Sequence, residues 1–259
     1  MLALLLLQTM FSATYQIPEK PCVYDLDIKM NGFIPLFGLN DGASVELQVG
    51  MKVTGLPAEG DGNPRASADV SDLKVILNGS SLPFTRDNVA QYFPNTVTFT
   101  PQGKVVKNNA PNIELPVHLP GLDMKRFPDI TFLAVEFPAE GIVAGKSWTY
   151  SREFGDSTVA YTVTPTSVTS DTAKLDIALS QDYEEKEGDS FEVVKNPKDD
   201  VYDVKTHVQG VGKLEFDLKR GLVRKLHVDA DAVGQVTKID TKETSKRDLK
   251  TTLDVALKG

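Results

Sequence analysis

The stretch Gly210-Val-Gly-Lys-Leu-Glu-Phe-Asp-Leu-Lys-Arg-Gly-Leu-Val-Arg-Lys-Leu-His-Val-Asp229 decides the fold. Leu214, Phe216 and Leu218 fall on one side of an extended chain, and Lys213, Glu215 and Asp217 on the other. This period of two is the mark of a strand with one face in water. Leu222, Leu226 and Val228 repeat the apolar side on the way back. Gly221 stands where a three-residue hairpin loop needs a left-handed backbone, so the stretch reads as two antiparallel strands with Leu218 opposite Leu222. That register sets His227 opposite Lys213 and His207 opposite Val233. The hairpin dictates architecture and carries no chemistry.

The same alternation recurs outward from it. Residues 22–31 set Tyr24, Leu26, Ile28 and Met30 against Val23, Asp25 and Asp27, and residues 43–55 set Val45, Leu47, Val49, Met51 and Val53 on one face. Residues 57–64 read as a loop. The strand that follows slips from even to odd positions near Ser71-Asp72, where a bulge is expected. Asn78-Gly79 signals a tight turn. Residues 85–93 predict a short helix, capped by Thr85 and ended by Pro94, and residues 122–126 a single helical turn. Hairpins are expected at 96–106 and at 158–164 with 172–179, further strands at 131–137, 148–154, 233–239 and 249–257, and a long solvated loop at 182–200.

The expected fold is therefore mainly β: a large curved antiparallel sheet, or sheets, built from hairpins, with one or two short helices. A leader-like segment occupies 1–15, an antiparallel half 22–107, a proline-rich join 108–128 and a second half 129–259. Residues 97–105 echo residues 214–223, which fits two related halves and equally fits the common look of β-hairpins.

The 259 residues carry a formal charge of -8 and a pI near 5.0, which repels phosphate backbones and excludes general nucleic-acid binding. At 41% hydrophobic and 25% charged the chain is globular in composition. Met1 to Ala13 holds an apolar run of signal-peptide length, too short to span a bilayer, so export to the periplasm or medium is expected, with a buried N-terminal segment as the other reading. No later segment predicts a membrane span. The lone Cys22 can form no internal disulfide.

Chemistry is thin. No Gly-x-Ser-x-Gly or phosphate-cradling glycine loop is present. His118, His207 and His227 are too scattered for a zinc signature, so no metal and no cofactor are expected. The carboxylate pairs Asp25/Asp27 and Asp229/Asp231 could hold calcium, as could Asp199, Asp200 and Asp203, but they read more simply as a solvated acidic face. Tyr92, Phe93, Phe132 and Trp148 are the candidates for lining an apolar groove between sheet and helices.

From Gly145-Lys-Ser-Trp148 through Gly212, Phe216-Asp217 and Gly221, the second half resembles an uncharacterised family of exported bacterial β-rich proteins, which implies no activity. The expected architecture also looks like the periplasmic lipoprotein-carrier half-barrels, an analogy of shape. The expected function is a non-enzymatic binding or scaffolding module of the bacterial cell envelope. The alternative is a carrier of lipid or another apolar ligand, and the partner is accordingly a protein or an apolar small molecule.

Overall fold

The computed structural model describes residues 9–34, 42–60, 62–110, 132–154, 157–190, 194, 196 and 198–258, with the backbone alone at Tyr92 and Phe154. In the first wing of the sheet, β1 is Cys22–Gly32, β2 Ala43–Glu59, β3 Asn63–Leu77, β4 Ser80–Ser81, β5 Asn95–Phe99 and β6 Val105–Asn108. In the second, β7 is Trp148–Phe154, β8 Ser157–Val168, β9 Thr172–Glu187, β10 Tyr202–Asp217, β11 Leu222–Lys238 and β12 Thr244–Leu257. These strands form one sheet in the order β6-β5-β3-β2-β1-β12-β11-β10-β9-β8-β7, with β4 paired to β3. Neighbours run antiparallel, and the first long strand lies beside the last, Leu26 opposite Val255. A single layer results, with one apolar face and one polar face.

The apolar face is roofed by two segments that are not strands. Residues 9–18 cross it: Phe11 and Ile142 exchange backbone hydrogen bonds of 3.0 and 2.8 Å, Tyr15 N donates to Pro101 O, and Gln16 N to Gly221 O. The Tyr15 ring packs on Phe216 at 5.1 Å between centroids and on Phe137 at 5.6 Å, and its hydroxyl donates to Val135 O at 2.9 Å. Burial pushes that phenol well above its ordinary pKa. Residues 132–137 form the second strap, with Phe132, Leu133 and Val135 fully buried. Gly221 is needed where the straps meet the sheet. Its φ is +64°, and a Cβ there would fall 2.5 Å from Gln16 N.

Several expectations are corrected. The 182–200 loop is shorter, because β9 runs on to Glu187 with Tyr183, Glu185 and Glu187 turned to the apolar face. Residues 132–137 are not a strand. The 57–64 loop shrinks, since β2 continues to Glu59 and β3 begins at Asn63. Asp217 rather than Leu218 pairs with Leu222, and an extra residue at Arg224 then restores the register, so that His227 does face Lys213 and His207 does face Val233. The helix at 85–93 is one α turn, α1 at Arg86–Val89, followed by a 3-10 turn at Ala90–Tyr92. Thr85 N donates to Asn88 Oδ1 at its start. The turn expected at 122–126 and His118 lie outside the described residues.

Candidate functional site

On the apolar face, the rungs beyond the straps are only half covered. Leu47, Ile28, Leu253, Val228, Gly212 and Ile177 lie side by side on β2, β1, β12, β11, β10 and β9. Leu47, Leu253 and Val228 keep intermediate exposure, as do Ala230, Leu179 and Tyr161 on the next rung. The middle of this band is glycine on β10. A Cβ at Gly210 would fall 2.9 Å from Leu179 Cγ, and one at Gly212 2.9 Å from Val228 Cγ2, so side chains from both neighbours lean over the bare strand.

Polar groups bound the band. Arg152, 5% exposed, donates to Glu136 Oε1 at 3.0 Å and lies over the stacked rings of Tyr150 and Tyr161. Further along the strands Arg247 pairs with Glu187 beneath Phe33, whose ring centroid is 4.3 Å from the guanidinium. Beside it, burial first and then the Glu187 charge raise the Glu185 carboxyl to about 7.

Of the four groove candidates, the three with described side chains, Phe93, Phe132 and Trp148, pack against different parts of the core rather than lining the half-covered band. Phe132 is fully buried against Phe99, with centroids 6.5 Å apart. Trp148 packs on Phe137 and its indole N–H donates to Glu136 O at 2.8 Å. Phe93 is half-buried at the edge of the cluster, and Tyr92 ends the 3-10 turn. α1 sits beside β3, its Arg86 Nε donating to Val70 O, and does not roof the half-covered band. The half-covered band was missed in the sequence; its signal was the pair of glycines in β10.

The polar face is creased. Apart from the register shifts at the end of β2 and in β6, three fall close together, each an extra residue: Ser71 in β3, Arg224 in β11 and Thr166 in β8. Their neighbours fall on one rung, which reads Asp72, Gly50, Asp25, Ala256, Lys225, Glu215, Lys174 and Ser167 across eight strands. A bulge bends its strand and tightens its twist, so bulges aligned on one rung bend the sheet along a line. Over that line lies a cavity of about 1040 Å³, lined from Asp72 on β3 to Thr166 on β8.

The titratable groups here are mostly paired. His227 Nδ1 lies 2.7 Å from Asp254 Oδ1 and Nε2 3.1 Å from Asp229 Oδ2, and the bond to Asp254 raises the imidazole. His207 pairs with Asp182 at 2.7 Å. Asp25 meets Lys258 at 2.7 Å and Asp27 meets Lys29 at 3.1 Å. Cys22 is buried, and burial pushes its thiol up. Among the described residues no group of three histidine, cysteine or acidic side chains could hold a metal ion, and no helix is long and apolar enough to cross a membrane.

No family model and no curated protein matches the sequence. Among solved structures, the chain is similar in fold to lipovitellin, from a study of lipid–protein interactions in that protein. The TM-score is 0.53 at 14% identity over 95% of this chain. The chain spans about a quarter (25%) of the lipovitellin chain's length.

Proposed function

We propose that the protein is a non-enzymatic binding module, exported to the cell envelope, that carries an apolar ligand of the lipid class against the apolar face of its sheet. One observation carries this reading: a single-layer sheet leaves a transverse band of Leu47, Leu253, Val228, Ala230 and Leu179 half covered. Apolar surface costs about 25 cal/mol per Å² when left to water, and a chain-like ligand laid across the band would remove it. The fold likeness to lipovitellin supports the same class of ligand. Export is supported by the apolar run at the start of the sequence. Phe11, Ala13 and Tyr15 at the end of that run fold with the sheet as part of the roof.

A fluorescent fatty acid tests the proposal. It should bind saturably and be displaced by phospholipid, and Val228→Asp with Leu253→Asp should weaken it at least tenfold. Absence of saturable binding, or binding that ignores both substitutions, would overturn it.

A further inference from the structure

The opposite face suggests a second ligand, independent of the first. Lys174, Lys213 and Lys225 line the crease and form a triangle around Glu215. Lys174 and Lys225 flank it on the two neighbouring strands, and Lys213 lies diagonal to both. Diagonal cross-strand neighbours sit about 7–8 Å apart, close enough for three flexible ammonium groups to meet on one anion. Among the described residues none of the three makes an ion pair. Two of the carboxylates beside them are engaged elsewhere: Glu215 meets Arg224 at 3.1 Å and Asp254 meets His227 at 2.7 Å. Two lining carboxylates are without a cation, Asp176 beside Lys213 and Asp72 at the far end. Between the lysines and Asp72 the crease passes Ala256, then Asp25, whose charge meets Lys258, then Gly50.

We propose that the crease binds a small soluble ligand bearing a phosphate or another multivalent anionic group, seated on Lys174, Lys213 and Lys225. Set against the two unpaired carboxylates, the three lysines leave the crease a small positive excess in a chain of net charge -8, concentrated on β9, β10 and β11. The acidic surroundings repel extended polyanions, while a short anion reaches the lysines. A flat bilayer cannot follow the concave surface, so a soluble phosphate is favoured over a lipid headgroup. The cavity volume is at the upper end for small-molecule sites.

Pyrophosphate, titrated into the full chain at low salt and followed by calorimetry and NMR, tests this. One saturable site is expected, with the Lys174, Lys213 and Lys225 signals moving together. Lys213→Ala with Lys225→Ala should weaken it at least tenfold, the two Lys→Arg changes should restore most of it, and Lys205→Ala, whose lysine pairs with Glu184 away from the crease, should leave it unchanged. Lack of saturation, or equal loss in the Lys205 variant, overturns the proposal. Sedimentation with vesicles of anionic phospholipid that depends on the same lysines, without pyrophosphate binding, overturns the soluble ligand in favour of a headgroup.

Discussion

Lys213 and Leu214 are neighbours in β10, yet they face different worlds. Leu214 and Phe216 are buried under the straps, while Lys213 and Glu215 line an open crease. The two faces differ in how they are built. The apolar one is held by packing and by hydrogen bonds from segments far away in sequence, the Tyr15 hydroxyl to Val135 O and Gln16 N to Gly221 O. The polar one is shaped by backbone irregularities within the strands themselves. Substitutions on the first should therefore register as stability, and on the second as binding.

The largest effect is expected at Phe216, which touches Tyr15 and Phe137. Phe216→Ala should cost about 3–5 kcal/mol in urea unfolding, and Lys213→Ala under about 0.5 kcal/mol. Comparable costs would break the contrast between the faces. Next, Gly221→Ala forces a side chain into a left-handed backbone and against Gln16, for about 1–3 kcal/mol. Hydrogen exchange at Tyr15 and Gln16 should quicken before exchange in β9 does.

Glu185 sharpens the comparison, being an acid on the apolar side. Its folded pKa, about 7, exceeds the unfolded value near 4.5, so the folded state binds the extra proton between them. Stability then falls as pH rises from about 4.5 to 7 and the penalty is complete above that. Glu185→Gln should stabilise by about 1–3 kcal/mol at pH 8 and leave stability unchanged at pH 4. A gain of equal size at both pH values would show that the carboxyl does not titrate as burial requires.

The smallest effect belongs to His227, exposed on the polar side. Asp254 holds its pKa up, so the weak stabilisation is full below the unfolded value and fades as pH rises through the folded one. Asp254→Asn should lower the imidazole titration midpoint by NMR with little change in unfolding. An unmoved midpoint would show that Asp254 does not hold it.

The hairpin at 210–229 was legible because alternation is enforced wherever one face is buried. The bulge at Ser71-Asp72 was legible for the same reason, two polar residues in succession interrupting the pattern. Thr166-Ser167 and Arg224-Lys225 carry that same doublet, so the crease was half written in the sequence. What was missing was the rung that aligns them, which depends on pairing between distant strands. The end of β9 was hidden because Glu185 and Glu187 occupy inward positions where apolar residues are expected, next to an arginine 60 residues further on. The straps were invisible as straps, since consecutive buried residues such as Phe132, Leu133 and Ala134, held by a few backbone bonds, follow no strand or helix period. Phe93, Phe132 and Trp148 are large apolar residues, and size alone does not say which neighbours each will pack against.

Native mass spectrometry of the full chain, purified without denaturant, addresses the binding role most directly. The mass should exceed that of the polypeptide by one or more apolar molecules that organic solvent extracts. A bare polypeptide that also takes up neither fatty acid nor phospholipid on incubation would contradict it.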